Sequence, residues 1–371
     1  MSKLTIVTVV GTRPEIIRLS RVIAKLDETV NHIFVHTGQN YDPKLNDIFF
    51  EELKVRKPDY FLDVDTRSLG AVMGDTLKKI EEVFIKHKPD GVAILGDTNS
   101  AVAALLAKRM HIPVYHMEAG NRSFDENVPE ESNRRMVDHV SDFNMPYNSY
   151  SYENLRNEGI HPRRLLKTGS PMREVLEHYR DDIEASNVLN DLGLTKGGYF
   201  LVSAHRQENV DLPARLELVL YCLRAIRDHF GLPVLVSTHP RTKVRLANLS
   251  QENLEGIVFH EPFGYLDYNK LQANAFCVVS DSGTISEEAS IIGFPAVSIR
   301  DSIERPEALE TGAMVLTGLN VSNLIQSVEL VRDQTAFSTM PEGYEITDFS
   351  DRVLKFVFST VRLHHSWANL R

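Results

Sequence analysis

The chain has 371 residues, with 41 lysines and arginines against 51 aspartates and glutamates, so its formal net charge is −10. This length suggests two domains or one large one, and 42% hydrophobic residues are enough to form a sizeable core. The acidic balance argues against a nucleic-acid partner, which needs net positive charge or a concentrated basic stripe.

No apolar run approaches the roughly 18–20 residues that a membrane span needs. The apolar segment 4–10 near the amino terminus has no small-residue cleavage site and is interpreted as a buried first strand. We therefore expect a cytoplasmic protein without membrane insertion. Cys222 and Cys277 lack the spacing of a zinc site and are expected to be core residues.

Short β-branched runs alternate with longer stretches of helical period, a pattern that predicts βα units and parallel sheets. The strands predicted in the first half are residues 4–10, 33–36, 91–95, 114–117 and 165–168. Those predicted in the second half are residues 199–203, 234–237, 257–260, 276–280 and 296–299. These runs are continuously apolar, as strands covered on both faces require.

Two helices stand out between these strands. Residues 101–110 are rich in alanine and leucine, and residues 213–230 carry leucines on one face with Gly231 as a stop signal. The pattern loosens between Gly169 and Gly198, where we place the domain junction, with domains at 1–170 and 171–350. Ligands of doubly wound sheets bind outside the carboxyl ends of the strands, so those ends are the places to search for a site.

Three strand ends of the first half carry polar side chains. Gly11-Thr12-Arg13 follows the first strand and is either an anion site at a helix start or an ordinary βα turn. Asp97 follows residues 91–95 and is either a helix N-cap or a catalytic carboxylate. Glu118 directly ends an apolar strand, and a charge there needs a partner or a ligand.

The loop after Glu118 brings four more carboxylates towards that strand end, namely Asp125, Glu126, Glu130 and Glu131. A run of charges is most often a solvated face. A run in a loop beside a binding site, however, is a common source of acid and base groups.

The strand ends of the second half carry cations and a serine-glycine turn. His205-Arg206 and His239-Pro240-Arg241 follow neighbouring strands, which is suggestive of anion binding. In the segment 280–289 Ser282 is expected to cap a helix, and Gly283 would let a phosphate approach the backbone. Glu288 could then accept hydrogen bonds from a ribose diol. This reading as a nucleotide-diphosphate site competes with a capped helix that bears exposed acids.

Several common motifs are missing from the sequence. It contains no GxGxxG, no GxxxxGK[ST] and no GxSxG, so a dinucleotide cofactor, a P-loop and a hydrolase elbow are not expected. The triplet Asp63-Val64-Asp65 is too short a pattern to predict a metal site. We expect neither a cofactor nor a metal.

Together these segments resemble a known family, the non-hydrolysing UDP-N-acetylglucosamine 2-epimerases, whose two-domain fold is like that of GT-B glycosyltransferases. The resemblance spans nearly the whole chain, through GTRPE (11–15), TGQN (37–40), GDT (96–98), HMEAGNR (116–122), PEESNR (129–134), AHRQEN (204–209), DSGTISEEA (281–289) and RDSIERPEA (300–308). It implies an α/β fold with two Rossmann-like, doubly wound parallel-sheet domains that face a cleft. It also implies that residues 351–371 cross back to the first domain.

The resemblance also implies roles for individual residues. Asp97, Glu118 and Glu130 match the catalytic carboxylates, with Glu130 preferred to its neighbour Glu131, and His205 joins the catalytic group. The residues implied to bind the UDP-sugar are Arg13, His205, Tyr268 (whose ring would stack on uracil), Ser282, Gly283, Glu288 and Arg305. Family members are usually dimers, so we expect a homodimer.

Two stretches depart from the family pattern, at Asn40 and at Gln207. In bacterial UDP-N-acetylglucosamine epimerases these regions line an activating second sugar-nucleotide site, so that regulation is not expected here. The chain looks more like the branch that inverts C2 of UDP-2-acetamido-2,6-dideoxy-L-talose to form UDP-N-acetyl-L-fucosamine for surface polysaccharides. The alternatives are UDP-N-acetylglucosamine/UDP-N-acetylmannosamine epimerisation and, in another class, a GT-B glycosyltransferase that uses a UDP-sugar.

Overall fold

A computed structural model of the chain describes residues 3–39, 43–238, 242, 245, 253–333 and 339–370. The strands are β1 (Thr5–Val10), β2 (Asn31–His36), β3 (Tyr60–Phe61), β4 (Gly91–Leu95), β5 (Val114–Met117), β6 (Phe143–Met145), β7 (Phe200–Ser203), β8 (Val234–Ser237), β9 (Ile257–His260), β10 (Cys277–Ser280), β11 (Ala296–Ser298) and β12 (Val315–Leu316).

The helices of the described residues, in chain order, are α1 (Arg13–Thr29), α2 (Pro43–Glu52), α3 (Leu69–His87), α4 (Ala103–Arg109), α5 (Glu130–Val140), α6 (Ser149–Asn157), α7 (Met172–His178), α8 (Arg180–Ala185), α9 (Val188–Asp191), α10 (Gln207–Val210), α11 (Pro213–Phe230), α12 (Tyr265–Asn274), α13 (Ile285–Glu288), α14 (Pro306–Glu310), α15 (Val321–Asp333), α16 (Phe349–Thr360) and α17 (His364–Trp367). Short 3₁₀ turns occur at Asn99–Val102 and Pro162–Arg164, and a π-helical turn at Ala289–Gly293 continues α13.

The chain forms two compact units, one made of Met1–His178 with Glu342–Arg371 and the other of Tyr179–Pro341. The expected boundary at 170/171 differs from this division because α7 packs against α1 inside the first unit. The expected return at 351 also differs. The Ser170 amide donates to the Gly343 carbonyl at 2.8 Å, so the chain rejoins the first unit before α16 begins.

The described part of the first unit contains a six-stranded parallel sheet in the order β3-β2-β1-β4-β5-β6. Its central strands are buried along nearly their whole length, and α1, α3, α4 and α5 contribute buried apolar side chains to the core on its faces. The alanines of α4 are fully buried, which lets this helix pack closely.

The second unit repeats this topology among its described residues, in the order β12-β11-β10-β7-β8-β9. Counted within the unit, this is again the order 3-2-1-4-5-6 of a doubly wound sheet. The helix α11 has the predicted bounds and ends at Gly231, whose φ of +65° is the left-handed conformation that favours glycine. Cys222 and Cys277 are buried in the core of this unit without a disulfide.

Nine of the ten predicted strands are confirmed with small differences at their ends. The strand predicted at 165–168 is wrong, because only Leu165 bridges to Asn144 and Gly169 (φ +80°) ends the segment. The sequence missed β3, β6 and β12, which have two or three residues each and therefore too little pattern to detect. Within the described residues, no helix is both long and apolar enough to cross a membrane.

The strand order places one topological switch point in each sheet. It lies between β1 and β4 in the first unit and between β7 and β10 in the second. Ligands of such sheets bind beside the switch point, at the carboxyl ends of the strands. The residues that follow these four strands, and those that follow β5, are therefore the candidates for a site.

Candidate active site

In the first unit, the turn after β1 is closed by Glu15 of α1. One carboxylate oxygen of Glu15 accepts from the Gly11 amide at 3.0 Å and the Thr12 hydroxyl at 2.8 Å, and the other accepts from the Thr98 hydroxyl at 3.2 Å. Burial raises the pKa of Glu15 to about 7, against the lowering effect of these hydrogen bonds. The Gly11 amide thus donates to a carboxylate of the chain itself and is not available to a bound anion, which was one of the two interpretations of this turn from the sequence.

Gly11 itself is required by the close approach of its neighbours. A Cβ atom at this position would lie 1.8 Å from the Ser100 hydroxyl oxygen and 2.4 Å from that of Thr37. Arg13, the next charged residue, is partly exposed with its guanidinium carbon 5.6 Å from the centre of the Phe49 ring. The close packing at Gly11 and the hydrogen bonds of Glu15 thus fix the backbone from which the Arg13 side chain extends.

Glu118 follows β5 in a strained backbone conformation. Its φ is +64°, a left-handed value that is uncommon for a residue with a Cβ and often marks a functional site. Its carboxylate lies 3.2 Å from the Arg18 guanidinium and accepts a hydrogen bond from the Asn121 side chain at 3.3 Å. Arg18 is buried and its side chain also donates to the Tyr147 hydroxyl at 3.4 Å, so Glu118 is held in one orientation by a rigid cation.

Asp97 follows β4 beside the same edge of the sheet. It is not a helix cap, because Thr98 holds the N-cap position of the following 3₁₀ turn. Its carboxylate instead accepts from Arg134 Nε at 2.7 Å, and its carbonyl accepts from the Asn133 side chain at 2.9 Å. Both donors lie on α5, so this helix fixes the position of Asp97.

The two adjacent acids at the start of α5 have different environments. Glu131 is buried and accepts from the amide and hydroxyl of Ser123 and from Arg134 and Arg135. Burial alone would raise the pKa of Glu131, but these hydrogen bonds outweigh it and hold the pKa below its ordinary value. Glu130 is half-exposed and is therefore the more accessible carboxylate.

A buried ion network fixes the loop that follows Glu118. Asp138 lies 2.7 Å from the Arg122 guanidinium and 2.9 Å from His116 Nδ1, and His116 Nε2 is 2.8 Å from the Gly96 carbonyl oxygen. Burial alone would lower the pKa of His116, but Asp138 outweighs it and raises the pKa. This network ties the ends of β4 and β5 together, and with them Asp97 and Glu118.

In the second unit, Asp281 organises the switch point between β7 and β10. This fully buried carboxylate accepts from the backbone amides of His205 and Arg206 at 3.1 Å and from the Asn209 side chain at 3.0 Å. The His205 imidazole remains about half exposed, with Nδ1 3.4 Å from Asp281. Sequence reasoning did not assign this role to Asp281, although the residue lies within the segment singled out at 280–289.

Ser282 and Gly283 form the turn after β10. Ser282 does not cap the helix as expected, because α13 begins at Ile285 with Thr284 at its N-cap position, and the Ser282 hydroxyl instead accepts from the Thr284 amide at 3.3 Å. A Cβ at Gly283 would lie 2.9 Å from a carboxylate oxygen of Glu304. The Glu304 carboxylate thus lies against this turn, and a larger residue at position 283 would displace that side chain.

Three further predicted residues lie in the same unit. Glu288 is buried and accepts from the Gln272 side chain at 2.7 Å. Tyr268 is partly buried against the apolar core, where burial and the nearby charge of Glu288 raise its pKa. Arg305 is fully buried with a guanidinium nitrogen 3.4 Å from Glu287.

The predicted residues thus form two groups, one in each unit. Arg13, Asp97, Glu118 and Glu130 belong to the first unit, and His205, Tyr268, Ser282, Gly283, Glu288 and Arg305 belong to the second. His239, Arg241 and Asn40 lie outside the described residues, as does the side chain of Gln207. Sequence reasoning missed Glu15 and Arg18 as partners of the site, although they follow Arg13 by only two and five residues on α1.

The fold and these residues define a class of protein. The chain has two doubly wound sheets. Acids follow the strands of the first sheet, and a serine-glycine turn follows a strand of the second. This combination is typical of enzymes that act on nucleotide-linked substrates. Residues 24–357 match the family model described as UDP-N-acetylglucosamine 2-epimerase. The chain belongs to this family, whose members are isomerases.

Two curated relatives give the range of activities among similar proteins. The chain is 38% identical to a UDP-N-acetylglucosamine 2-epimerase of Methanocaldococcus jannaschii over 87% of its own length and 91% of that protein. It is 37% identical to a UDP-2,3-diacetamido-2,3-dideoxy-D-glucuronate 2-epimerase of Pseudomonas aeruginosa over 87% of its length and 90% of that protein. The relatives thus act, by their names, on more than one UDP-sugar.

Solved structures confirm the expected fold class, an α/β protein with two Rossmann-like domains of the GT-B type. The structure of UDP-N-acetylglucosamine 2-epimerase from Rickettsia bellii has a TM-score of 0.92 and 41% identity and covers 98% of both chains. The M. jannaschii enzyme in complex with UDP-GlcNAc and UDP has a TM-score of 0.89 and 34% identity and covers 96% of this chain and all of that one. This family assignment favours an isomerase over a glycosyltransferase.

Proposed function

We propose that the chain inverts C2 of a UDP-2-acetamido sugar without a cofactor, by anti elimination of UDP and its re-addition. The observation that carries the proposal is Glu118, at the end of β5 in a member of this family. Its backbone is strained and its carboxylate is held by Arg18. A carboxylate that is fixed by a buried cation is a preorganised proton acceptor.

The chemistry explains why elimination is the reasonable route. The C2 hydrogen has no carbonyl beside it, so its simple removal would leave an unstabilised carbanion. If the C2 proton leaves while the bond between C1 and the diphosphate oxygen breaks, the electron pair forms a C1–C2 double bond and UDP departs. Return of UDP to C1 with a proton on the opposite face of C2 gives the epimer, and the balance requires no oxidant.

The first unit would supply the proton-transfer groups. We assign Asp97, Glu118 and Glu130 to removal and return of the C2 proton and to stabilisation of positive charge at C1. Glu130 is preferred to Glu131 because it is half-exposed, whereas four donors already occupy Glu131. Arg18 would hold the Glu118 carboxylate in its orientation.

The second unit would bind the leaving group. Ser282 and Gly283 present backbone at the switch point, and His205 offers an exposed imidazole at the end of β7. We assign these residues, with Arg13 and Arg305, to the UDP diphosphate and its departure, Tyr268 to the uracil ring and Glu288 to the ribose diol. Groups that bind the departing diphosphate lower the barrier for cleavage of the C1–O bond.

As substrate we propose UDP-2-acetamido-2,6-dideoxy-L-talose, converted to UDP-N-acetyl-L-fucosamine in the cytoplasm for surface polysaccharides. The motifs around residues 37–42, 116–131 and 280–290 support this choice. The second candidate is interconversion of UDP-N-acetylglucosamine and UDP-N-acetylmannosamine. The named activity of the M. jannaschii relative favours it. We also propose a homodimer, for which light scattering should give twice the mass of the chain.

One experiment tests both the reaction and the substrate. The purified protein is offered each UDP-sugar separately in deuterated water, and proton NMR follows the anomeric and C2 signals. We expect the L-talose compound to be consumed fastest, with deuterium at C2 of the product. Preferred turnover of UDP-N-acetylglucosamine would replace the substrate assignment. Product without deuterium at C2 would refute proton removal by a base that exchanges with solvent.

A further inference from the structure

A cavity lies in the first unit, lined by none of the residues of the candidate active site. This basic cavity has a volume of about 740 Å³ and is lined by residues that include Lys108, Arg109, His111, Arg164, His364 and Trp367. Lys108 and Arg109 end α4 just before β5 begins, and Arg164 lies in the turn at Pro162–Arg164. The cavity therefore lies towards the amino ends of the strands, and the family function does not account for it.

The charge of the cavity is opposite to that of the chain. Three permanent cations line it, in a protein whose formal net charge is −10. Among the described residues, the carboxylate within 4 Å of these cations is Asp142, which is fully buried and lies 2.5 Å from Lys108 and 3.4 Å from Arg164. One carboxylate against three cations leaves an excess of two positive charges, which attracts an anion.

The histidine in the wall has an unsatisfied polar atom. His364 is only 2% exposed, and its Nδ1 has no hydrogen-bond partner among the described residues. Its Nε2 is 3.8 Å from the Asp142 carboxylate. A buried polar atom without a partner costs free energy unless a water or a ligand satisfies it, so a ligand that reaches this ring would gain a hydrogen bond.

One wall of the cavity is apolar. Trp367 is half-buried there and is followed by Ala368 and Leu370, which also line the cavity. The volume falls within the range of small-molecule sites, about 300–1,000 Å³. Cations on one side and an indole on the other suit a ligand that carries its charge at one end and a planar or apolar body at the other.

We propose that the basic cavity binds a small molecule with a phosphate group on a planar or apolar body. Lys108, Arg109 and Arg164 bind the phosphate, and Trp367 contacts the body. Guanidinium and ammonium groups are the side chains that bind phosphate most strongly. The proposal concerns a site separate from the candidate active site and does not depend on the proposed reaction.

Trp367 allows a direct test because it is the only tryptophan of the chain. UDP is left out, because it also carries a phosphate group on a planar base and would compete for the basic cavity. The Arg109→Ala variant described below separates this cavity from the candidate active site. AMP, pyrophosphate and inorganic phosphate are then titrated separately while tryptophan fluorescence is excited at a wavelength that nucleotides do not absorb. We expect a saturable change with AMP and tighter binding of AMP than of inorganic phosphate. No saturable change, or equal affinities for AMP and inorganic phosphate, would overturn the proposal.

Variants separate the two halves of the site. Arg109→Ala is chosen because no described carboxylate is bound to Arg109, and it should weaken AMP binding about tenfold. Arg67→Ala, at an exposed arginine of the same unit, is the control and should leave binding unchanged. Trp367→Ala, followed by calorimetry, should weaken AMP binding but not phosphate binding. Unchanged AMP affinity in Arg109→Ala would refute the assignment.

Discussion

The charge of the buried Glu15 carboxyl can be tested by Glu15→Gln. The carboxylate is 2% exposed and accepts hydrogen bonds from the Gly11 amide and from the hydroxyls of Thr12 and Thr98. A glutamine has nearly the same shape. Its oxygen can accept from Gly11 and Thr12, and its amide group can donate to the Thr98 hydroxyl oxygen. The variant therefore keeps the packing and removes only the titration.

The expected magnitude follows from the pKa. Burial raises the pKa of Glu15 from 4.5 to about 7. The folded protein therefore binds this proton more tightly than the unfolded chain does. The resulting stabilisation is fully present below pH 4.5 and is lost as the pH rises through about 7. At 1.36 kcal/mol for each pH unit, the wild-type protein should lose about 2.5 kcal/mol from this group between pH 5 and pH 8.

Urea unfolding at pH 5 and pH 8 measures the effect. Trp367 and Glu15 belong to the same unit, so tryptophan fluorescence reports the unfolding of the unit that carries the substitution. The stability of Glu15→Gln relative to the wild type should increase by about 2.5 kcal/mol between the two pH values. Glu28→Gln, at an exposed acid near the end of α1, is the control and should give a constant difference. A constant difference for Glu15→Gln as well would refute the reasoning.

Three further substitutions test the site. Glu118→Gln should lower kcat by a factor of about 10³ or more and change UDP affinity less than threefold, because it removes a proton acceptor rather than a binding group. Steady-state kinetics measure kcat, and calorimetry measures UDP affinity. Glu126→Gln, in the exposed loop, is the control and should change neither. Gly11→Ala should destabilise the first unit in urea unfolding, because its Cβ would overlap a serine hydroxyl, while Gly74→Ala on α3, where no atom lies within 4 Å, should be neutral or stabilising. Asp281→Asn should weaken UDP binding, because an amide has one acceptor oxygen for three donors, and unchanged affinity would contradict the role given to this residue.

The strands of the sheets could be predicted because each buried strand is a continuous apolar run bounded by polar residues. Val114–Met117 and Val234–Ser237 have the predicted bounds for this reason. The strands β3 and β12 are two residues long and are defined by pairing with a neighbour rather than by their own composition. Pairing between distant segments is not visible in a local pattern.

The identity of the candidate acids could be predicted from strand ends, but their partners could not. Arg18 and Glu118 are a hundred residues apart in sequence. They meet because α1 follows β1 and Glu118 follows β5, so that both lie at the carboxyl edge of the same parallel sheet. Ser282 was expected to cap a helix from its residue type, whereas the helix begins two residues later than that role requires. Burial, which decides that Glu131 is structural and Glu130 accessible, is likewise a property of the folded chain.

Cleavage and re-formation of the bond between C1 and the diphosphate is the step on which the proposed mechanism depends. The UDP-sugar is prepared with ¹⁸O in the oxygen that bridges C1 and phosphorus, and its position is followed by phosphorus NMR during turnover. If UDP departs and returns, the terminal phosphate rotates, and the label should spread into non-bridging positions at a rate comparable with epimerisation. Epimerised product that retains all of its ¹⁸O in the bridging position would contradict the mechanism.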